Sequence, residues 1–378
     1  MNLPDLFASS PVVYVFENEY QIIIPLTAEA LCWVNVGGRC YYDHFAGVLR
    51  SGTLLHRCIV PQEELDRARE YTVYCRKITA RTPYYPQAEE PVSLTVAFRP
   101  VPAESARFYH ISDAHSKIEP CIRAAGFFKG GPDALILNGD IPNHCGDMEN
   151  RGQILKLAGT ITGGGIPVVF ARGNHDARGS CAEGLEEEIP HRNGRTYYTF
   201  RLGNIWGLCL DCGEDKADTS EEYGGTICFH PFREQETAFI QQVIERAQKE
   251  YRAPGVRHRI VIAHHPFSFL QEPPFDIEAA LYREWCRLLR EQIRPDLMLC
   301  GHTHEAALYL PGGPKDHLGQ PCPVIIGGKP GSSKDPQGPA FTGAALTFAA
   351  QGIEVAFTDD RLGIAEKYFF ESEPEEAE

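Results

Sequence analysis

Between residues 107 and 300 the chain alternates compact apolar runs with amphipathic stretches, and that alternation restricts the fold more than any other feature. The runs cover 107–111, 134–138, 168–171, 205–210, 260–263 and 297–300, with helical stretches at 119–128, 234–251 and 279–292 between them. In the last of these, Leu281, Trp285, Leu288 and Leu289 recur at spacings of three and four, which places them on one helix face. Short apolar runs without period-two alternation read as strands covered on both faces. Their alternation with helices predicts an α/β domain with parallel strands.

Residues 1–103 follow a different pattern. Short runs rich in β-branched and aromatic residues recur at 12–16, 20–25, 31–36, 55–60, 71–75 and 93–98, and the one helix-like piece is 62–70. Turn residues punctuate most gaps, so a small all-β sandwich is predicted. Tyr71-Thr72-Val73-Tyr74-Cys75, following Pro61, resembles the late-strand pattern of fibronectin type III domains, with Trp33 in the place of their core tryptophan. Pro100 and Pro102 interrupt strand pairing and mark a linker. The expected division is therefore a sandwich at 1–103, an α/β domain at 104–370 whose late strands (324–326, 344–348, 353–357) complete the sheets, and a frayed acidic tail at 371–378.

Composition narrows the function. The 13 cysteines are odd in number and scattered through apolar runs, which suits buried reduced thiols better than a disulfide framework. Cys209 and Cys212 have CxxC spacing but no partner pair nearby, so they are read as structural. The N-terminus lacks a basic start followed by an apolar run, and no stretch reaches the roughly 18 apolar residues of a membrane span, so a cytoplasmic address and no membrane contact are expected. A net charge of −15 with dispersed Lys and Arg disfavours a nucleic-acid polymer as partner. A small phosphorylated substrate stays compatible, because a local metal charge outweighs the global field.

The chemistry sits where the apolar runs end. Asp113-Ala114-His115 follows the first run, Gly139-Asp140-Ile141-Pro142-Asn143-His144 the second and Gly173-Asn174-His175-Asp176 the third. His264-His265-Pro266 follows the fifth, and Gly301-His302-Thr303-His304 the sixth. Any one of these alone is an ordinary turn. All five together, each at a strand's carboxyl end, converge on the edge where open α/β sheets place their sites. Mixed nitrogen and oxygen donors suit manganese, iron, zinc or cobalt. Seven such donors exceed one ion's needs but serve two ions about 3.5–4 Å apart if a carboxylate bridges them. Glycine-rich 327–333 lacks P-loop spacing and reads as a turn near this edge.

The ordered set DxH, GDxxN, GNHD, HHP and GHxH resembles the signature of calcineurin-like metallophosphoesterases, over roughly 70% of the chain. The resemblance implies a four-layer fold of two β-sheets flanked by helices, and a phosphate-ester hydrolase that is either a phosphomonoesterase or a phosphodiesterase. It implies two divalent metal ions (manganese, iron or zinc), one held by Asp113, His115, Asp140 and His304. The second would be held by Asp140, Asn174, His264 and His302, with Asp140 bridging; His264 is preferred to His265 because the family's ligand stands two before the proline. It further implies an activated water as nucleophile, and His175 as the group that meets the phosphoryl oxygen or protonates the leaving alkoxide. Asp176 would orient His175 as an Asp-His dyad. His144 and Arg178 would contact substrate, with Asn143 behind them. A sandwich ahead of such a domain resembles purple acid phosphatases, but His115 and Asn143 stand where those enzymes have glycine and their iron-ligating tyrosine, so a colourless divalent pair is expected. The rival reading is a binding protein that keeps the fold without turnover and uses the sandwich to hold a carbohydrate or protein.

Overall fold

Strands that bury every residue belong in the interior of a layered sheet. Val12–Phe16, Ala134–Asn138 and Pro167–Ala171 have that pattern. In the computed structural model, which describes residues 3–371, they are neighbours in one ten-stranded sheet. Ser105–Ile111, Ala134–Asn138, Pro167–Ala171 and Val12–Phe16 pair in parallel. Phe341–Ala349, Gly352–Asp359 and Ile364–Glu371 extend the sheet antiparallel on one side, and Glu19–Pro25 and Leu55–Pro61 on the other. A six-stranded sheet holds the remaining parallel strands, Ile205–Leu210, His258–Ala263, Leu297–Cys300 and Val324–Gly327.

The two sheets face each other across a core that includes Phe108, Ile136 and Val169 from one and Ile260, Leu299 and Ile325 from the other. Each such side chain contributes about 1.5–3 kcal/mol by leaving water. Helices Ile118–Ala125 and Gln153–Thr162 cover the outer face of the first sheet. Phe229–Glu245 and Ala279–Leu288 cover that of the second. The result is the four-layer α/β arrangement. The helices are offset from their sequence-based bounds: 119–128 forms Ile118–Ala125, 234–251 forms Phe229–Glu245, and 279–292 ends as a π-helical turn, Leu289–Ile293. Among the described residues no helix is long and apolar enough to cross a membrane.

The N-terminal region is β apart from one short helix, Gln62–Ala68, where 62–70 is expected to be helical, and its longer strands divide between two sheets. Val12–Phe16, Glu19–Pro25 and Leu55–Pro61 complete the large sheet, while Ala30–Val36, Arg39–Tyr42, Glu70–Ala80 and Val92–Ala97 form most of a small one. The inward residues of that small sheet, among them Cys32, Val34, Val73 and Cys75, join the core between the large sheets. The boundary near residue 103 marks a change of pattern, not a break in the core. Trp33 is not a core tryptophan: it points to the other face of its strand, half-buried, and stacks on Tyr74 with ring centroids 5.4 Å apart. Of the expected acidic tail, Glu371 closes the last strand, and 372–378 lie outside the described residues.

One polar layer crosses the sheet interface beneath the strand ends. Asn138 Nδ2 donates to the carbonyls of Ala263 and Leu299 in the opposite sheet and to His110 Nε2 at 3.1 Å. The fully buried His110 ring must therefore accept, and is neutral; burial lowers its pKa to about 3. Between pH 6.5 and about 3 the unfolded chain takes up this proton and the folded one does not, so stability falls as pH falls through that window. In metal-free protein, His110→Asn should flatten the acid limb of unfolding free energy against pH by about 1.4 kcal/mol per pH unit. Parallel limbs for the two proteins would show that His110 ionises freely in the fold.

Candidate metal centre

Five strands deliver the five motif loops to one edge: Ser105–Ile111, Ala134–Asn138 and Pro167–Ala171 from the first sheet, His258–Ala263 and Leu297–Cys300 from the second. The loops turn sharply. Asp113, His115, Asp140, His302 and His304 all have positive φ, between +42° and +70°. Left-handed backbone at non-glycine residues costs on the order of 1–3 kcal/mol each and persists where a site requires it. Here it aims the side chains inward. Gly139 permits a close approach, since a Cβ there would lie 2.6 Å from both the Gly173 backbone and His264 Nδ1.

Two buried carboxylates form the floor. Asp113 accepts the His302 amide on both oxygens at 3.0 Å and the Ser112 hydroxyl on Oδ2 at 2.7 Å. Its Oδ1 lies 3.5 Å from His304 Nε2 and 3.9 Å from both His115 Nε2 and His264 Nε2. Asp140 Oδ1 accepts the His175 amide at 2.8 Å, and its Oδ2 lies 3.2 Å from His264 Nε2 and 3.9 Å from His115 Nε2. Both carboxylates therefore face histidines of the two expected metal sets. Asn174 Oδ1 sits 3.1 Å from His302 Nδ1 and 3.3 Å from His265 Nε2.

The donor set fits divalent ions. His264 donates Nδ1–H to the Asn138 carbonyl at 2.7 Å, which leaves buried Nε2 turned to Asp140 Oδ2, 3.2 Å away. A histidine whose other nitrogen is anchored on a carbonyl is the usual metal-ligating arrangement. His115 Nε2 and His304 Nε2 are 2.8 Å apart, a close approach for two ring nitrogens unless a proton or a cation lies between them. Burial lowers the pKa of His115 to about 4, of His302 to about 3, and that of His304. Their imidazoles are neutral and free to ligate at neutral pH. Burial pushes Asp113 up to about 7. Burial acts upward on Asp140 as well, but His264 and His175 outweigh it and hold that carboxyl below its ordinary range. Burial works downward on His264, and Asp140 and Asp113 together overcome it, lifting the ring to about 10. A proton is held where a cation would otherwise sit. Among the described residues four triads have ligand atoms mutually within 4.8 Å: Asp113-His115-His304, Asp113-Asp140-His264, His115-Asp140-His175 and His264-His265-His302.

All seven expected ligands converge, and so does His265, on the Asn174 and His302 side. His175 lies at the rim, its Nδ1 bonded to the Asn143 carbonyl at 2.7 Å and its Nε2 3.2 Å from Arg178 Nη1. The Asp176-His175 dyad does not form. Asp176 instead accepts the backbone amides of Gly173, Asp140 and Ile141, tying two ligand loops together. The orienting partner of His175 is a main-chain carbonyl that no residue type reveals. His144 is exposed and accepts the Gly146 amide of its own loop, whereas Arg178 reaches His175. Gly328, read as part of a surface turn, packs on the floor: a Cβ there would lie 2.0 Å from Ser112 Oγ and 2.6 Å from Asp113 Oδ2. Glu214, which grips Arg178, belongs to none of the five motifs and stands beyond Ile205–Leu210, the strand that no motif follows directly.

Comparison with known proteins bears on this geometry. The sequence profile of the calcineurin-like phosphoesterases matches residues 106–306, just over half of the chain. Among solved structures, PhoD superposes with a TM-score of 0.58 at 11% identity, covering 98% of this chain and 90% of that one. At that identity the likeness concerns the fold, the N-terminal β region included. A phosphopantetheinyl hydrolase from Mycobacterium tuberculosis gives a TM-score of 0.35 at 14% identity over 60% of this chain and 89% of that one. A conserved uncharacterized protein from Streptococcus pneumoniae TIGR4, described as a predicted phosphoesterase, gives 0.33 at 13% over 71% and 98%. No curated protein matches the chain. The profile runs from the strand that leads into Asp113 to just beyond His304, the whole stretch that builds the centre, and on that ground the chain belongs to the calcineurin-like phosphoesterases, hydrolases of phosphate esters that work with divalent metal.

Proposed function

We propose that the chain is a dinuclear phosphoester hydrolase acting on a small phosphorylated molecule. The observation that carries this reading is the placement of Asp113 Oδ1 and Asp140 Oδ2, each within 4 Å of His264 on one side and His115 on the other. Asp113, His115, Asp140 and His304 would hold one ion and Asp140, Asn174, His264 and His302 the other, Asp140 being common to both sets. Manganese, iron and zinc suit these donors. Divalent ions bound there would supply Lewis acidity toward phosphoryl oxygens and would acidify a water molecule.

The remaining groups belong to the protein. Arg178 Nη1 points to the rim beside His175 and donates to a phosphoryl oxygen. The Asn143 carbonyl holds the His175 proton on Nδ1, and Nε2, 3.2 Å from Arg178 Nη1, is the nitrogen left at the rim. When a phosphoryl group takes the Arg178 N–H, Nε2 is free to take a proton from solvent, and His175 gives that proton to the leaving alkoxide and returns to its neutral form. His144 turns from its own loop to reach substrate only by giving up the Gly146 bond, so Arg178 takes the larger share of binding.

Chelated protein, reloaded with manganese, zinc or iron, is expected to hold two ions per chain and to hydrolyse p-nitrophenyl phosphate, bis-p-nitrophenyl phosphate or both. One ion per chain at full activity would remove the dinuclear reading. Undiminished hydrolysis after exhaustive chelation would remove the metal mechanism.

A further inference from the structure

Arg178 is held as well as placed. Its Nε and Nη2 each lie 2.7 Å from an oxygen of Glu214, a two-point clamp that uses one edge of the guanidinium and leaves Nη1 turned to His175 Nε2. The Glu214 side chain is only 2% exposed, whereas that of Arg178 is 27% exposed. Glu214 is fixed in turn. Tyr223 Oη lies 3.0 Å from both Glu214 Oε2 and Asp215 Oδ1, and accepts the Lys216 amide at 3.2 Å. The Glu214 main chain is pinned by Arg233, a buried residue of helix Phe229–Glu245, which donates to the carbonyls of Glu214 and Cys212.

We propose that Glu214, locked by Tyr223, is the positioning residue for Arg178, so that the segment 211–223 sets how firmly the centre grips a phosphoryl group. The inference rests on the reading of Arg178 as the phosphoryl donor. A free arginine side chain loses rotamer entropy when it binds, and a clamp removes that cost before substrate arrives. Glu214, with Asp215 Oδ1 3.3 Å from Nη2, offsets the charge of Arg178, so what remains at the rim is direction: Nη1, which here donates to His175 Nε2. The clamp touches none of the seven metal ligands. A positioning role can thus be separated from loss of metal.

The test compares Glu214→Gln, Tyr223→Phe, Arg178→Ala and the Glu214→Gln/Arg178→Ala double variant in metal-loaded protein, reading metal content, KM, kcat and inhibition by inorganic phosphate. Glu214→Gln should keep both metals and raise KM and the phosphate inhibition constant about tenfold, with a smaller change in kcat. Tyr223→Phe, which removes one hydroxyl and guards against a misfolded Glu214 variant, should move the same two constants in the same direction by less. The double variant should be no worse than Arg178→Ala alone. Additive losses in the double variant, loss of metal in Glu214→Gln, or tighter phosphate inhibition on removing its charge would each overturn the proposal. If Arg178→Ala leaves phosphate inhibition unchanged, the phosphoryl-donor reading itself is what fails.

Discussion

Replacing Asp140 by asparagine is expected to abolish turnover while leaving the fold in place. The substitution is isosteric, and the remaining carbonyl oxygen can still accept the His175 amide that Oδ1 accepts now. What goes is the charge on Oδ2, the oxygen 3.2 Å from His264 and 3.9 Å from His115. If two divalent ions are held as proposed, one buried carboxylate, Asp113, would be left to balance them, and a neutral amide would serve both poorly. Metal content should drop to one ion or fewer per chain, and kcat/KM by on the order of 10³-fold or more. Elemental analysis beside steady-state kinetics checks both. Two tightly held ions with near-normal activity would mean that Asp113, not Asp140, carries the bridge. The two carboxylates resemble each other enough in placement for that outcome to be informative, since Asp113 Oδ1 also faces histidines of both sets.

The cluster was legible in the sequence because its parts are local. Its side chains follow strand ends, strand ends are marked by apolar runs, and the runs before Asp113, Asp140, Asn174, His264 and His302 are unambiguous. The hydrogen-bond partners around that cluster are not local. Asp176 stands beside His175 in sequence but bonds the amides of Gly173, Asp140 and Ile141, because a buried carboxylate takes whatever backbone donors lie within reach. The orienting carbonyl of Asn143 belongs to a main chain, and residue identity says nothing about it. Glu214 carried a usable signal, an acidic residue past the carboxyl end of a parallel strand. The missing element was its distant partner, Arg178.

The N-terminal region shows the same limit at the level of sheets. Pattern identifies strands but not their neighbours. Val12–Phe16 buries all five residues, and Glu19–Pro25 all but its first, as strands inside a layered sheet do. Ala30–Val36 alternates buried and half-buried positions, as a strand with one wet face does. The first pair belongs to the large sheet and the last to the small one. The residue types do not carry that difference: Ala30–Val36 is apolar at every position but Asn35, and Gln21 is buried in the large sheet. Trp33 lies outside because Cys32 and Val34 on either side of it face the core.

His175→Ala should separate chemistry from metal binding. His175 belongs to one triad with metal-binding geometry, alongside His115 and Asp140, so a ligand role competes with the role of acid. Its hydrogen bonds favour the acid. Nδ1 is committed to the Asn143 carbonyl, and Nε2, 4.0 Å from Asp140 Oδ2, lies 3.2 Å from Arg178, a cation that would repel a metal at that position. The variant should therefore retain both ions and lose about 10²–10⁴-fold in kcat. The loss should depend on the leaving group. An aryl ester departs as a phenolate that needs little help from a proton, whereas an alkyl ester departs as a strongly basic alkoxide, so the alkyl substrate should suffer more. Equal losses on both esters with both ions retained would assign His175 to binding the phosphoryl oxygens. Loss of an ion would make it a ligand, and one of the seven now counted would then have to leave the set.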